Sequence, residues 1–271
     1  MEYSRIADFL TPEMWQPLLN TEALGRGEIR YEHTLDSTNI QLRKMGLSGA
    51  PHGSVCLCEC QTAGRGRLGR SWHSPEGCGL WVSVLLRPNL RTEQAPLVTL
   101  LTAMAMQRAV NALMPVECRI KWPNDIVLGG KKLCGILLEV NADQDGLHHI
   151  VVGTGLNVHQ GAYPPELQHQ ATALCEHGEP PLRGAILARY LLELEKLVKQ
   201  LENEGFEAIT REYEAASCTL GSAVRVTGGM ELTGVAEAID ESGALLVREE
   251  NGALTRVLAG DVSVRGVMGY V

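Results

Sequence analysis

Three arginines alternate with three glycines within residues 61–70, a segment that contains no acidic side chain. Glycine tolerates positive φ angles and lets backbone N–H groups approach a ligand closely, while each arginine adds a planar, permanently charged fork that suits phosphate or carboxylate. A solvated run of charges is the alternative, but such runs do not usually alternate with glycine. Residues 61–70, which we call the Gly/Arg loop, are therefore predicted to bind an anion. The loop includes Gln61, Gly64, Arg65, Gly66, Arg67, Gly69 and Arg70.

Four other segments combine polar or charged side chains with glycine, proline or tryptophan. They are Ser37-Thr38-Asn39, Lys121-Trp122-Pro123-Asn124-Asp125, Lys132-Leu133-Cys134-Gly135-Ile136 and Val152-Gly153-Thr154-Gly155-Leu156-Asn157. Each also has a purely structural interpretation. Ser37 and Thr38 could cap a helix, Trp122 favours the core, and a lone lysine such as Lys132 is most simply a surface residue of a hairpin. The residues alone leave these alternatives open.

The spacing of apolar and turn residues predicts the elements that must position these segments. Helices are expected from Ser37 onward and over 96–114 and 182–201, the last with its apolar face packed on a sheet. Strands are expected over 54–60, 80–86, 118–122, 125–128, 133–140 and 150–158, with Gly129-Gly130 making a tight hairpin turn. Five short strands between 223 and 264 predict a small barrel. Residues 159–181 form a long loop whose function the sequence does not indicate.

Composition limits the class of protein. With 271 residues, of which 45% are hydrophobic and 21% charged, the chain can form one large core or a large and a small one. The net charge of −8 disfavours a nucleic-acid partner, because phosphate contacts need a basic surface. No apolar stretch approaches the length of about 20 residues that spans a bilayer. A cytoplasmic protein without a membrane partner is expected.

Cysteine and histidine give no sign of a metal site. The spacing C-x-x-C is absent, and Cys56, Cys58 and Cys60 alternate along a predicted strand. They are expected to share one face as small buried hydrophobic residues. The pair His148-His149 is expected in a solvated polar turn.

Taken together, Ser37-Thr38-Asn39, the Gly/Arg loop, K-W-P-N-D, K-L-C-G-I and V-G-T-G-L-N resemble the biotin protein ligase family, in order from about residue 33 to the C-terminus. The resemblance implies an α+β fold with a mixed central sheet and flanking helices, like that of class II synthetases. It also implies a small C-terminal SH3-like β-barrel. The expected domains are 1–216, catalytic, and 217–271, the barrel.

The same resemblance implies an activity. Members of the family join the carboxylate of biotin to the α-phosphate of ATP with the help of Mg²⁺ and release pyrophosphate. They hold the biotinyl-adenylate until a lysine of a carrier attacks it, and the implied carrier is the biotin carboxyl carrier protein of acetyl-CoA carboxylase or of a related biotin-dependent carboxylase. The family also suggests a homodimer that forms through the central sheet.

Site residues follow from the resemblance, position by position. The catalytic residues are expected to be Arg67, Lys132 and Asp125. Biotin is expected to contact Ser37, Thr38, Asn39, Gln61, Arg65, Gly66, Arg67, Lys132, Gly135, Gly153 and Gly155. The nucleotide is expected to contact Arg67, Arg70, Trp72, Asn124, Lys132 and Asn157. The resemblance gives no set of metal ligands.

Two features depart from the family pattern. Trp81 stands where many relatives have a tyrosine or another residue that lines the biotin tail. Residues 1–36, which precede Ser37, are too few for the DNA-binding domain of repressor-type members, so the ligase-only class is expected.

Three alternatives remain. A lipoate or octanoate transferase shares the fold but lacks the Gly/Arg loop and K-W-P-N-D. A biotin-responsive regulator would bind biotin without transferring it. A plain nucleotide-binding module would leave the polar group from Ser37 to Gln61 unexplained.

Overall fold

The computed structural model describes residues 8–260 and 262–266, which form two β-sheets with helices against the larger one. The helices are α1 (Pro12–Trp15), α2 (Thr38–Leu47), α3 (Leu97–Leu113), α4 (Arg183–Glu204) and α5 (Glu207–Ala216). The strands of the larger sheet are β1 (Ile29–Leu35), β2 (Val55–Gln61), β3 (Gly79–Leu86), β4 (Arg119–Lys121), β5 (Asp125–Leu128), β6 (Lys131–Asp143) and β7 (Gly146–Asn157). The smaller sheet contains β8 (Ala223–Gly228), β9 (Leu232–Ile239), β10 (Leu245–Glu249), β11 (Leu254–Val257) and β12 (Val262–Gly266).

The larger sheet is mixed, as predicted. Its strand order is β1-β2-β3-β7-β6-β5-β4; β1 and β2 are parallel, and the other neighbours are antiparallel. A parallel pair needs a crossover connection, which α2 provides between β1 and β2. The predicted hairpin joins β5 to β6, and both of its glycines, Gly129 and Gly130, have positive φ angles of 57° and 76°. Strand β1 was not predicted from the sequence.

Alternation along the strands divides the core between the two faces of the large sheet. On β3, Leu80 and Val82 pack with α3 and α4 in the larger cluster. Trp81 and Leu85 pack with α2 in a smaller cluster on the other face. Helix α4 packs chiefly along α3 and contacts the sheet at β3 and through Tyr190, whose hydroxyl lies 3.1 Å from that of Thr154 on β7. The prediction that this helix packs on the sheet is therefore only partly correct.

Two of the three alternating cysteines behave as predicted. Cys56 and Cys58 are fully buried on the α2 side of the sheet, and Cys60 is half-buried. Burial raises the pKa of the Cys56 thiol to about 12. Within residues 8–260 and 262–266, no group of three or more metal-binding side chains comes together.

The prediction of a solvated turn at His148-His149 is wrong for His149. Both residues lie in β7, where His148 is exposed and His149 is buried. Gly46 of α2 lies directly on this ring, because a Cβ atom at Gly46 would stand 2.8 Å from His149 Nε2. Antiparallel pairing with β6 extends β7 beyond the predicted start, and alternation along the strand then decides which histidine faces the helix.

We expect His149 to make the protein less stable in acid. Burial, followed by the charges of Arg87 and His148, lowers the pKa of His149 below its ordinary value of 6.5. The unfolded chain therefore binds a proton at higher pH than the folded chain does. The free energy of unfolding should consequently fall as the pH drops below about 6.5, until the folded-state pKa is passed.

Urea denaturation at pH 7.5 and at pH 5 checks this expectation. The replacement His149→Gln should reduce the loss of stability between the two pH values. The exposed neighbour offers a matched control, because His148→Gln should leave most of that loss in place. An equal acid-induced loss in His149→Gln and in the wild-type protein would contradict the assignment.

The smaller sheet is entirely antiparallel, in the order β11-β10-β9-β8-β12, and is consistent with the predicted small C-terminal barrel. Trp122 fixes this sheet beside the turn between β4 and β5. Its indole Nε1 donates to the carbonyl of Gly243 at 3.0 Å, and its backbone N–H donates to the hydroxyl of Thr219 at 2.9 Å. Trp122 is 1% exposed, so its prediction as a core residue is confirmed.

A buried network of charged side chains joins Asp8, near the start of the chain, to residues that are distant in sequence. Arg183, at the first turn of α4, pairs with Asp8 at 3.0 Å and with Glu59 of β2 at 2.8 Å. His159, at the start of the long loop, lies 2.8 Å from Asp8. Asp8 accepts hydrogen bonds from Arg183, and Glu59 accepts one through Oε1 from the backbone N–H of Leu10 at 2.7 Å, as buried charges require. No helix in the described part of the chain has the length and apolar character needed to cross a membrane.

Candidate functional site

One cavity of about 390 Å³ lies among the Gly/Arg loop, the ends of β5 to β7 and the smaller sheet. Its volume is in the range typical of sites for small molecules. Every residue that the sequence predicted for the site contributes to its lining: Ser37, Thr38, Asn39, Gln61, Arg65, Gly66, Arg67, Arg70, Trp72, Asn124, Asp125, Lys132, Gly135, Gly153, Gly155 and Asn157. The fold therefore brings together segments that are up to 120 residues apart in sequence, from Ser37 to Asn157.

The start of α2 is held by a glutamine. The Oε1 atom of Gln61 accepts hydrogen bonds from the backbone N–H of Thr38 at 2.9 Å and from its hydroxyl at 3.2 Å. Ser37 occupies the N-cap position, but its side chain makes no capping hydrogen bond. The cap interpretation of Ser37 is thus not supported, because Gln61 satisfies the free N–H group at the helix start.

Hydrogen bonds hold both ends of the Asn39 amide. Its Nδ2 donates to the carbonyl of Leu137 at 3.3 Å and to Oε2 of Glu139 at 3.0 Å. Its Oδ1 accepts from the hydroxyl of Ser83 at 2.6 Å. A Cβ atom at Gly153 would stand 1.9 Å from this oxygen, so position 153 requires glycine. The Asn39 side chain therefore lies directly against the backbone of Gly153.

The Trp72 ring lies against two other glycines that were predicted to contact biotin. A Cβ atom at Gly155 would stand 2.4 Å from the indole Nε1, and one at Gly135 would stand 2.9 Å from the ring atom Cζ3. The Nζ atom of Lys132 lies 5.2 Å from the centroid of the same ring, within the range of a cation–π contact. Gly135 and Gly155 therefore give the cavity a flat floor that accepts an aromatic ring.

Three charged side chains meet where β4, β5 and β6 lie side by side. Lys132 Nζ lies 2.6 Å from Oδ1 of Asp125, and Lys121 stands opposite Asp125 in the strand register. The Lys132 side chain is 25% exposed, so the interpretation as a free surface lysine is not supported. Lys121 is 6% exposed, and burial lowers its pKa to about 8 although Asp125 opposes this shift.

Sequence reasoning missed Lys121 and Arg265 as site residues, although both line the cavity. Lys121 begins the K-W-P-N-D segment, so its position was visible beside residues that were selected. Arg265 belongs to β12 of the smaller sheet, and nothing in its local sequence indicates that this strand contributes to the cavity. Trp81, by contrast, is fully buried in the smaller core cluster and does not line the cavity.

The Gly/Arg loop is closed like a hairpin, and two of its arginines tie it to the body of the protein. Backbone hydrogen bonds join Gly66 N–H to the Arg70 carbonyl at 2.7 Å and Trp72 N–H to the Gly64 carbonyl at 2.9 Å. A Cβ atom at Gly64 would lie 2.4 Å from the carbonyl oxygen of Trp72, so glycine is required there. Near the base of the loop, Arg65 pairs with Glu139 at 3.0 Å.

Arg67 provides the second attachment, at the tip. Its guanidinium donates to Oδ1 of Asn124 at 2.9 Å. It also donates to the carbonyls of Ala259 and of Gly260, the latter at 2.7 Å, between β11 and β12. The predicted catalytic arginine therefore connects the loop both to the K-W-P-N-D segment and to the smaller sheet.

The long loop after β7 forms another wall of the cavity, a role that the sequence did not reveal. Backbone hydrogen bonds attach it to the start of β6, from Lys132 N–H to the Gln170 carbonyl at 2.8 Å and from Thr172 N–H to the Lys132 carbonyl at 2.9 Å. Asn157 donates from Nδ2 to the Thr172 carbonyl at 3.0 Å. Its Oδ1 is buried and has no hydrogen-bond partner among the described residues, so it is available to accept one from a ligand.

Comparison with known proteins gives the family. Residues 31–157 match the biotin/lipoate A/B protein ligase family, and residues 219–265 match the biotin protein ligase C-terminal domain. The biotin–[acetyl-CoA-carboxylase] ligase of Mycobacterium tuberculosis is 35% identical over 94% of this chain and 97% of its own length. The bifunctional ligase/repressor BirA of Bacillus spizizenii is 35% identical over 91% of this chain and 76% of its own length.

A solved structure agrees with these matches. Biotin protein ligase from Aquifex aeolicus in complex with biotin and ATP superposes with a TM-score of 0.76 at 28% identity, covering 88% of this chain and 99% of that one. The sequence matches extend through both sheets, and the similar structure has the same fold. The chain belongs to the biotin protein ligase family.

Proposed function

We propose that this protein is an ATP-dependent biotin protein ligase, which forms biotinyl-5′-AMP and transfers the biotinyl group to a lysine of a carrier protein. The observation that carries the proposal is a single cavity that contains both a neutral polar network and a cluster of cations. A carboxylic acid with a neutral polar head and a nucleoside triphosphate need these two environments side by side. Relatives named as biotin ligases, one of them bound to biotin and ATP, support the same activity.

Biotin would occupy the neutral part of the cavity. Its ureido group offers two donors and one acceptor, which suit hydroxyl and amide side chains. Ser37 and Thr38 supply hydroxyls, and Gln61 orients Thr38 through two hydrogen bonds. Asn39 uses both hydrogens of its amide on Leu137 and Glu139 and accepts one hydrogen bond from Ser83, which leaves one lone pair on Oδ1. Gly135, Gly153 and Gly155 shape the floor.

The cations would act on the phosphates. Attack of the biotin carboxylate on the α-phosphate brings like charges together, so Lys132 and Arg67 would neutralise the charge that develops on the phosphoryl oxygens. Lys121 and Arg265 lie in the same cavity and would hold the pyrophosphate that leaves. Trp72, Asn124 and Asn157, together with Arg70, would contact the nucleotide. Asn157 Oδ1 could accept a hydrogen bond from an adenine amino group.

Transfer completes the reaction. The lysine amine of the carrier attacks the biotinyl carbonyl, an amide C–N bond forms, and the C–O bond to AMP breaks as AMP leaves. Asp125 would accept a proton from that amine, and its ion pair with Lys132 holds it in the cavity.

Magnesium would enter as the complex with ATP. Mg²⁺ usually keeps several waters and takes one or two carboxylates plus substrate phosphates. Asp125 is a carboxylate that lines the cavity, and the described residues form no larger acidic cluster. The donor set therefore fits a metal that is held mainly by the nucleotide, with Asp125 as its protein contact.

The wider assignments are part of the same proposal. The catalytic unit would be 1–216 and the C-terminal unit 217–271; residues 1–7, 261 and 267–271 of these units lie outside the described residues. The partner would be the biotin carboxyl carrier protein of acetyl-CoA carboxylase or of a related carboxylase, and the protein would work in the cytoplasm as a homodimer without binding nucleic acid.

A direct experiment tests the activity. The full chain is incubated with biotin, ATP, Mg²⁺ and a biotin carboxyl carrier domain, and the carrier is weighed by mass spectrometry. A biotinyl addition to one lysine supports the proposal, and parallel reactions with lipoate and octanoate test the related specificities. Biotin binding without any carrier modification would instead favour a regulator.

Lys121 should make ATP binding depend on pH. With a pKa of about 8, Lys121 is largely protonated below that pH and neutral above it. A polyphosphate stabilises the charged form, so ATP affinity should fall as the pH rises through about 8, and binding near pH 8 should take up a proton. Lys121→Arg keeps the charge throughout this range and should remove the dependence.

Calorimetry of ATP binding, without biotin, provides the measurement. Titrations at pH 7 and 9 in buffers of different ionisation enthalpy report both the affinity and the proton uptake. Lys131→Arg, at the start of β6, is the matched control and should behave like the wild-type protein. Equal proton uptake in Lys121→Arg and in the wild-type protein would show that another group titrates.

A further inference from the structure

Glu139 of β6 contacts two parts of the site, in addition to the link that Gln61 makes between the start of the Gly/Arg loop and Thr38. Its Oε2 accepts a hydrogen bond from Nδ2 of Asn39 at 3.0 Å, and its Oε1 pairs with the guanidinium of Arg65 at 3.0 Å. We propose that Glu139 is a positioning residue that couples the biotin-binding network around Asn39 to the Gly/Arg loop. This inference rests on the proposed function.

On the first side, Glu139 fixes the orientation of the Asn39 amide. The carboxylate of Glu139 and the carbonyl of Leu137 accept hydrogen bonds but cannot donate them. The NH₂ group of Asn39 must therefore face these two acceptors. The Oδ1 atom is thereby directed toward the Ser83 hydroxyl and Gly153. Because Asn39 is 3% exposed, a rotated amide would leave buried polar atoms unsatisfied.

On the second side, Glu139 holds the base of the Gly/Arg loop. Arg65 forms an isolated antiparallel bridge with Ser71 across the loop, so fixing its side chain also fixes both strands of the loop base. Glu139 is the acidic partner within ion-pair distance of Arg65 among the described residues. The Glu139 side chain is 19% exposed, which favours a stronger pair than two fully solvated charges would form.

Glu139 does not itself line the cavity. Its position behind Asn39 and Arg65 keeps its carboxylate from contacting biotin or ATP directly. Its effect must therefore pass through those two partners. An ordered Asn39 would bind the biotin head more tightly, and an ordered loop base would keep the biotinyl-adenylate in the cavity for longer.

The coupling predicts two effects from one substitution. In Glu139→Ala, the dissociation constant for biotin should rise about tenfold and the escape of biotinyl-adenylate should accelerate about tenfold, the loss expected for a charge-assisted hydrogen bond. Arg65→Ala should accelerate escape with a smaller effect on biotin binding. The double variant should release the adenylate no faster than Glu139→Ala, because both substitutions break the same link.

Calorimetry with biotin and a chase of preformed biotinyl-adenylate measure the two quantities. Glu237 pairs with Arg248 at 2.9 Å on the smaller sheet, so Glu237→Ala is a matched control that should leave both unchanged. If Glu139→Ala is not folded, Glu139→Gln is used instead. Glutamine keeps the shape of glutamate but carries no charge. The biotin dissociation constant and the escape rate of Glu139→Gln should therefore lie between those of the wild-type protein and those expected for Glu139→Ala.

The outcomes separate the two hypotheses. Additive effects in the double variant, or a folded Glu139 variant with unchanged biotin affinity and unchanged escape, would overturn the coupling. A wild-type protein that binds biotin but forms no adenylate would overturn the proposed ligase activity, and in that case the coupling is judged by biotin affinity alone.

Discussion

Replacing Lys132 with alanine is expected to slow the formation of biotinyl-5′-AMP by at least about tenfold, or about 1.4 kcal/mol of transition-state stabilisation. Lys132 lies 2.6 Å from Asp125 and beside the Trp72 ring, so its ammonium is held where the carboxylate and the α-phosphate would meet. The cation matters most while negative charge moves between these groups. The substitution should therefore lower the rate of the step more than it weakens the binding of biotin.

The measurement is pyrophosphate release that depends on biotin, in single-turnover reactions. Lys131, the preceding residue, provides a matched control because its Nζ contacts the Gln168 carbonyl at 2.8 Å and it does not line the cavity. Lys131→Ala should keep most of the rate. An unchanged rate in Lys132→Ala would remove this lysine from the mechanism.

Replacing Arg67 with alanine is expected to let the intermediate escape at least about tenfold faster while its synthesis is reduced less, since two or more hydrogen bonds to a charged group are lost. Arg67 joins the tip of the Gly/Arg loop to Asn124 and to carbonyls between β11 and β12. Without these bonds the loop would cover the cavity less of the time. Released biotinyl-adenylate is a mixed anhydride that reacts with any lysine it meets.

Biotinylation of a bystander protein that is not a carrier measures this escape. Arg211→Ala, at an exposed position on α5, controls for the loss of a positive charge. Carrier labelling in the same tubes reports whether synthesis persists. Bystander labelling at the wild-type level, together with intact carrier labelling, would mean that the loop does not retain the intermediate.

These two predictions rest on residues that the sequence could identify. The Gly/Arg loop and the K-W-P-N-D segment are local patterns, and the residue types of the loop already predict an anion site. The hairpin at Gly129-Gly130 is equally local, because two glycines can adopt consecutive positive φ angles whatever surrounds the segment. Alternation predicted the shared face of Cys56 and Cys58 for the same reason.

Other site residues have no local signal. Glu139 belongs to a strand whose pattern predicts only pairing, yet it contacts Arg65, 74 residues away, and Asn39, 100 residues away. Lys121 stood within a selected motif, but its burial depends on how β4 packs beside the smaller sheet. The prediction of a polar turn at His149 was wrong because pairing of β7 with β6 overrides the local preference for a turn.

The sequence by itself determined most of the elements, because periodicity and turn chemistry act over a few residues. Its resemblance to the family implied the α+β fold, the chemical groups of the site and the kind of ligand they suit. The tertiary structure alone decided which of these groups meet. The link from Arg67 to the smaller sheet spans 193 residues at Gly260, and the wall formed by 159–181 depends on hydrogen bonds to the start of β6. Such contacts follow from strand order and packing, which single segments do not encode.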